Sequence, residues 1–388
     1  MTDARTPPPS LGAVLREWGR IGCVGFGGPP THIRLLRDLC VGRERWLTPV
    51  EFEDAVAACN LLPGPASTQL AIFCGWRVRG RCGALLGGVA FVVPGLIVIL
   101  VLAALFLGGT PPRAVLAAGA GAGSAVAVVA VHAASGLVPA SWHRATHAGR
   151  ASRLRWIGYL GAGLLAAPTI GPWLVLVLLA CGALETSRLA RGHVTGLAPL
   201  PPLATGTLTA GGLTSLAWVA FKVGALSYGG GFVIIPLMQA DAVDRYHWMT
   251  GAQFLNAVAL GQITPGPVVQ TVAVVGYAAA GLAGGVLAAI VAFSPSFAFI
   301  LLGAHRFDRL RADPRVRAFL DGAGPAAIGA ILGSAVTLAR ALTEPWQYAV
   351  LAGSAILLLA LRRGVVLTLL AAAVAGIVLV ASGLPLPH

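Results

Sequence analysis

Polar residues in this chain are confined to short breaks between long apolar stretches. Runs such as CGALLGGVAFVVPGLIVILVLAALFLGG from Cys82 and GVVLTLLAAAVAGIVLVASGL from Gly364 meet the roughly 20 apolar residues that a helix needs to cross about 30 Å of hydrocarbon. Segments 83–108, 114–138, 156–167, 173–187 and 207–232, then 283–304, 318–340, 345–361 and 364–383, are predicted to cross a bilayer in alternation. The two on either side of APTIGP (167–172) are short. The pattern predicts an all-α polytopic membrane protein with no room for a sizeable soluble domain.

Two apolar stretches break in the same way, at LLPGPA (61–66) and ITPGPV (263–268). Proline fixes φ and donates no backbone hydrogen bond, so Pro63-Gly64-Pro65 and Pro265-Gly266-Pro267 must end any helix that reaches them. Upstream of each break lies a helix start. In WLTPVEF, Thr48 can cap, Pro49 occupies the first helical position and Glu51 completes a capping box; in WMTGAQF, Thr250 and Gln253 have the same parts. Each helix then runs about a dozen residues, roughly 18 Å, and stops near mid-membrane. A new helix starts after the second proline, and its first N–H groups, near Ser67 to Gln69 and Val268 to Thr271, have no partner within it.

The two breaks belong to an internal repeat. Their first prolines differ by 265 − 63 = 202, and that offset pairs Arg20 with Lys222, Phe26-Gly27-Gly28 with Tyr228-Gly229-Gly230, Trp46 with Trp248, Thr48 with Thr250 and Asn60 with Gln262. Downstream it becomes 201, pairing Gln69 with Gln270, Gly75 with Gly276 and Pro94 with Pro295. The chain therefore reads as a tandem duplication, residues 1–200 and 201–388. Arginines flank the first broken helix on both sides, at 34–45 and 77–81, whereas the matching flanks in the second half are DAVDRYH and the uncharged AAAGLAGG. Cytoplasmic loops are the basic ones, so the two broken helices are expected to approach from opposite sides. The expected architecture is an inverted repeat, each half with about five spanning helices plus one re-entrant or broken helix at Pro-Gly-Pro. This scheme puts residues 1–10 outside, against the preference of Arg5, Arg16 and Arg20, and leaves the first helix as a candidate that does not span. MTDARTPPPS has no apolar h-region and does not read as a cleavable signal peptide.

Composition agrees: 57% of the 388 residues are hydrophobic and only 11% charged, against roughly 25% charged in soluble domains, and the mean hydropathy is +0.82. A net charge of +13 would suit nucleic acid, but the cations are nearly all Arg in short clusters between apolar runs, which is the positive-inside pattern. The six cysteines form no C-x-x-C and have no His at zinc spacing, so no metal, redox role or cofactor is expected. No H-x-x-x-H, G-x-S-x-G, dinucleotide fingerprint or intramembrane Asp pair is present, and the chain does not read as an enzyme.

Unpaired backbone at membrane depth is tolerated only where protein or a water-filled cavity satisfies it. Gly/Pro-interrupted helices at matching places in two halves point to a transporter's substrate site, and half-helix N-termini suit an anion. Asn60, Gln262, Thr264, Ser67, Thr68, Gln69, Gln270 and Thr271 flank the breaks as neutral candidates for binding one, or for satisfying the broken backbone. Lys222, the only lysine, lies in an apolar run with Arg20 as its mate; a cation there marks a function or a buried partner. Gly27 and Gly28, with Gly229 and Gly230, could form backbone nests for an oxyanion or permit close helix contact. His32 is a candidate pH-sensitive ligand, and Glu51, with His32, a candidate for proton coupling, although dipole stabilisation alone explains acids in a first helical turn.

GFGGPPTHI (25–33), WLTPVEFEDAVAACNLLPGPASTQLAIFCGWRVRGRCGALLGGVAFVVPG (46–95) and their second copies SYGGGFVIIPLM (227–238) and WMTGAQFLNAVALGQITPGPVVQTVAVVGYAAAG (248–281) resemble the signature segments of the chromate ion transporter family in its two-domain long-chain form. The resemblance implies an exporter of chromate in the bacterial inner membrane, with sulfate as a potential analogue; its partners would be a small oxyanion and the lipid bilayer, not nucleic acid, and a homodimer is one option for its assembly. The second copy has Gly231 in place of Pro29, and Gln253 and Asn256 in place of Glu51 and Asp54, so the halves need not contribute equally. A passive oxyanion channel on the same architecture is the alternative, and a membrane enzyme the more distant one. Export of a dianion from a cell negative inside gains roughly 4.6 kcal/mol per 100 mV, so the membrane potential alone is a sufficient driving force.

Overall fold

The structure is a computed structural model. It describes residues 9–61, 64–108, 111–147, 149–170, 173–191, 212–227, 234–303 and 313–387, and only the backbone of Ala57, Asn60, Leu61, Ala190 and Arg191. Pro63, Gly229, Gly230 and the side chain of Asn60 thus lie outside the described residues.

The described residues are helical throughout, in two series on one plan. The first comprises α1 (Leu11–Val24), α2 (Pro29–Arg37), α3 (Pro49–Leu61), α4 (Ala66–Leu107), α5 (Arg113–His147), α6 (Arg150–Ile170) and α7 (Leu174–Arg191). The second comprises α8 (Leu213–Leu226), α9 (Ile234–Gln239), α10 (Gly251–Ile263), α11 (Thr271–Gly303), α12 (Pro314–Arg340), α13 (Pro345–Ala355) and α14 (Val365–Ala381). Local irregularities repeat as well. Matching π-helical turns, Asp38–Arg43 and Ala240–Arg245, follow α2 and α9. The capping boxes predicted at Thr48 and Thr250 are formed, by Glu51 and Gln253.

α4 and α11 are each two helices joined by a sharp turn. The turns fall at Arg79-Gly80 and Ala280-Gly281, where the glycines adopt φ of +61° and +62°, a region that a side chain disfavours. Gly75 packs on the Gly83 backbone, and Gly276 on that of Gly284, so the arms touch just beyond each turn. In the first half the Arg77 guanidinium lies 2.7 Å from the Glu51 carboxylate. The end of the 66–78 arm therefore returns to the level at which α3 begins: α3 and this arm form a re-entrant hairpin with Pro-Gly-Pro at its tip.

α4, α5, α12 and the stretch Val268–Gly303 are long and apolar enough to cross a membrane; α8, α14 and residues 345–360 are shorter apolar helices. α6 and α7 run 21 and 18 residues, longer than the 156–167 and 173–187 expected. α1 and α8, at 14 residues each, span only about 21 Å, short of a full crossing.

The two series interlock. α5 packs against α13 and α14, whereas α12 packs against α6 and α7, and α5 and α12 meet each other. Small residues permit this: Gly121 lies on the Ala372 carbonyl and on Gly376, Gly163 on the Ala326 carbonyl, and Gly329 on the Leu160 carbonyl. Lipid offers no hydrophobic drive for helix association, so close backbone approach has to supply it. α1 against α4, and α8 against α11, complete the centre around the two re-entrant hairpins.

Candidate functional site

The two Pro-Gly-Pro tips reach across to the opposite series. The Gly64 N–H donates to the Ser227 carbonyl at 2.8 Å, and the Gly266 N–H donates to the Gly25 carbonyl at 3.0 Å. Ser227 and Gly25 are repeat mates at the C-terminal ends of α8 and α1, so the bonds are reciprocal. Gly64 and Gly266 hold φ of +121° and +101°, a conformation open to glycine because it lacks a Cβ, and this turns each tip. The long arms close in from both sides: Gly95 lies on the Pro265 carbonyl, and its mate Ser296 stands with its hydroxyl 3.2 Å from where a Cβ on Gly64 would be.

Two half-helices begin at this crossing. Thr68 and Gln69 donate back to the Pro65 carbonyl, and Gln270 to that of Pro267; the amides of Ala66, Ser67, Val268 and Val269 precede them. Orphan N–H groups of this kind carry the positive end of the helix dipole. Ser67, Thr68, Gln69, Gln270 and Thr271 are all at most 2% exposed, so the tips are occluded in this conformation.

The polar side chains here fall into two groups. The Thr264 hydroxyl donates to the Leu260 carbonyl (2.9 Å), the Thr271 hydroxyl to the Val268 carbonyl (2.8 Å) and the Gln270 amide to the Val92 carbonyl (2.7 Å); these serve the backbone. In contrast, the hydroxyls of Thr68, Ser227 and Ser296 and the amide nitrogen of Gln262 are buried with no hydrogen-bond partner among the described residues. Leaving a buried donor unsatisfied costs about 1–3 kcal/mol, and such groups call for an explanation, a ligand among them. Each of the four can donate to an oxyanion without bringing a charge of its own.

His32 is fully buried, with Nε2 2.8 Å from the Gly25 carbonyl. That contact assigns the proton to Nε2 and couples the ring to the carbonyl that also receives the Gly266 N–H. Gly27 and Gly28 have φ of +93° and +75°, and Gly28 sits beside Val268, at the start of the second half-helix. α2 itself opens with Pro29 and Pro30, so its first two positions have no N–H to offer an anion.

Arg20 and Lys222 each face a carboxylate. The Arg20 side chain is 57% exposed, 3.7 Å from Glu17. Lys222 Nζ lies 2.5 Å from Asp241, with the two side chains 12% and 1% exposed. The buried-partner reading of this lysine is the one the geometry provides, and Asp241 is the partner that sequence reasoning missed. Ser227 and Ser296 were missed too; the available signal was that Ser296 is the mate of Gly95, directly after the matched Pro94 and Pro295. Glu51 is engaged twice, by the Thr48 cap and by Arg77.

Short Gly/Pro-interrupted helices that face each other from two matched halves, with buried donors around their tips, are an arrangement characteristic of membrane transporters. The chain belongs to the chromate transporter family, whose sequence profile matches residues 12–185 and 214–377. It is 34% identical over 349 residues to the chromate transport protein of Cupriavidus metallidurans, covering 86% of this chain and 84% of that one. The chromate transport protein of Pseudomonas aeruginosa is 29% identical over 364 residues (88% and 84% covered), and an uncharacterized transporter of Methanocaldococcus jannaschii 27% over 370 (89% and 88%). No solved structure matches the chain.

Proposed function

We propose that this protein exports chromate across the bacterial inner membrane, binding the dianion between the two crossed tips and admitting sulfate as an analogue. The observation that carries this reading is the reciprocal pair of tip hydrogen bonds, Gly64 to Ser227 and Gly266 to Gly25, surrounded by the uncommitted donors of Thr68, Ser227, Ser296 and Gln262. Two half-helix N-termini and neutral donors stabilise a dianion without trapping it. The names of the relatives in C. metallidurans and P. aeruginosa support chromate as the anion.

The repeats, 1–200 and 201–388, are inverted in this reading, and alternating access arises as the interlocked halves rock about the tips. The membrane potential is the main driving force, since two charges gain roughly 4.6 kcal/mol per 100 mV. His32, bonded to the Gly25 carbonyl that also receives the second tip's N–H, and Glu51 are the groups through which protons would add to it.

Chromate and sulfate flux into inverted membrane vesicles, with potential and pH gradient set independently, tests the reading. Saturable chromate flux that falls to the level set by the chromate gradient alone when the potential is collapsed is the expected result. Flux that survives that collapse but stops without the pH gradient would replace it by obligatory proton exchange.

A further inference from the structure

Two cavities, of about 270 and 170 Å³, lie one behind the other along α10 and share Leu116, Gln253 and Asn256. Both far exceed the roughly 10–15 Å³ that a water molecule requires. The outer one begins at the start of α10, where Thr250 and Gln347 add polar groups. The second extends to Phe106, Leu107 and Pro111 at the end of α4, and to Leu260 and Val274, with Leu260 one helical turn before Thr264, whose hydroxyl its carbonyl accepts. Asn256 stands at their junction.

α5 is shaped to hold this side chain. A Cβ on Gly119 would come within 3.0 Å of the Asn256 carboxamide, and one on Gly123 within 3.2 Å. The glycine stripe of α5 is therefore divided by face: Gly121 takes α14, while Gly119 and Gly123 form a notch around Asn256. The carboxamide in that notch makes no hydrogen bond to any described residue, which leaves its donors and acceptor for what enters the cavities. In the repeat, Gln253 and Asn256 occupy the places of Glu51 and Asp54, and Glu51 is tied to Arg77 at 2.7 Å. The first turns of the two helices thus differ in charge, α3 carrying carboxylates and an ion pair where α10 carries neutral amides.

We infer that Asn256, with Gln253, lines an aqueous vestibule for anions that runs from the start of α10 toward the second tip, and that its neutral carboxamide sets the charge preference of that vestibule. The inference rests on the transporter reading above. Amide N–H groups can replace part of an anion's hydration, whereas a carboxylate at position 256 would repel it.

The variants Gln253→Cys, Asn256→Cys and Val258→Cys, each made in the full-length protein without its six native cysteines and reconstituted, test this with anionic and cationic thiosulfonate reagents of similar size. Val258, fully buried on another face of α10, is the control position. The thiols at 253 and 256 are expected to react and the one at 258 to stay silent, with the thiol at 253, where Asn256 is intact, favouring the anionic reagent by roughly tenfold or more relative to a free thiol. A thiol at 256 as silent as that at 258, or a thiol at 253 that prefers the cation, overturns the inference. In chromate flux, Asn256→Asp is expected to fall by about tenfold or more, and further than Asn256→Ser, which keeps a neutral donor; equal flux in the Asp variant and wild type also overturns it. The reagent pattern needs no chromate, so its persistence in a protein that moves none would refute the proposed substrate and leave the vestibule standing.

Discussion

The division of the tip hydroxyls into committed and uncommitted groups makes a prediction in which stability and affinity move in opposite directions. Ser227→Ala, Ser296→Ala and Thr68→Val each remove a buried hydroxyl without a described partner. The empty protein then sheds an unsatisfied group worth about 1–3 kcal/mol, so its unfolding temperature holds or rises. The bound state loses a hydrogen bond to a charged ligand, about 1.5–3 kcal/mol, and about 1.4 kcal/mol is tenfold in the dissociation constant. Thr264→Val and Thr271→Val are the counterparts: their hydroxyls already serve the Leu260 and Val268 carbonyls, so these variants lose about 0.5–1.5 kcal/mol of stability and keep their anion affinity. Thermal unfolding of the purified protein with and without chromate or sulfate reads both quantities. Ligand at about 100 times its dissociation constant stabilises by about 2.7 kcal/mol, and a tenfold weaker site cuts this to about 1.4 kcal/mol. If Ser227→Ala and Ser296→Ala retain the full anion-dependent shift, or Thr264→Val loses as much as they do, the anion does not bind at these donors.

Lys222→Met and Asp241→Leu are each expected to destabilise by about 3–5 kcal/mol because each strands a buried partner, whereas the two combined recover most of the loss; additive effects in the thermal cycle would contradict this, and Arg20→Met, at an exposed pair, should cost under about 1 kcal/mol. Glu51→Gln keeps a capping partner for Thr48 and loses the part-exposed Arg77 bridge, so it should cost under about 1 kcal/mol; loss of the response of chromate flux to a pH gradient in this variant would assign the proton to Glu51. Gly224→Ala drives a methyl into the Ala292 carbonyl and should lower stability by about 1–3 kcal/mol, while Gly136→Ala, mid-helix with nothing within 4 Å, should raise it by up to about 1 kcal/mol; thermal unfolding distinguishes the two.

Features set by a few neighbouring residues were legible in the sequence. Thr48-Pro49 and Thr250-Gly251 start α3 and α10, Pro-Gly-Pro stops both after 13 residues, and the 202-residue offset recurs in the paired helices, π-turns and tip glycines. Caps and missing N–H groups act over one helical turn, so their consequences need no knowledge of the rest of the chain. The exchange of α13 and α14 onto α5, and of α6 and α7 onto α12, was not legible. In a bilayer the lipid-facing and helix-facing sides of a helix are equally apolar, so hydrophobic periodicity does not mark its partner. The site divides along the same line. Sequence marked the tips and their polar flanks, and the Thr264 hydroxyl is met within one turn of its own helix by Leu260; that the hydroxyls of Thr68, Ser227 and Ser296 are buried without a partner among the described residues depends on how the chain folds around them. Lys222 announced itself as a lone cation in an apolar run; that Asp241 meets it was decided by the path of α9 back against α8, a property of the folded chain.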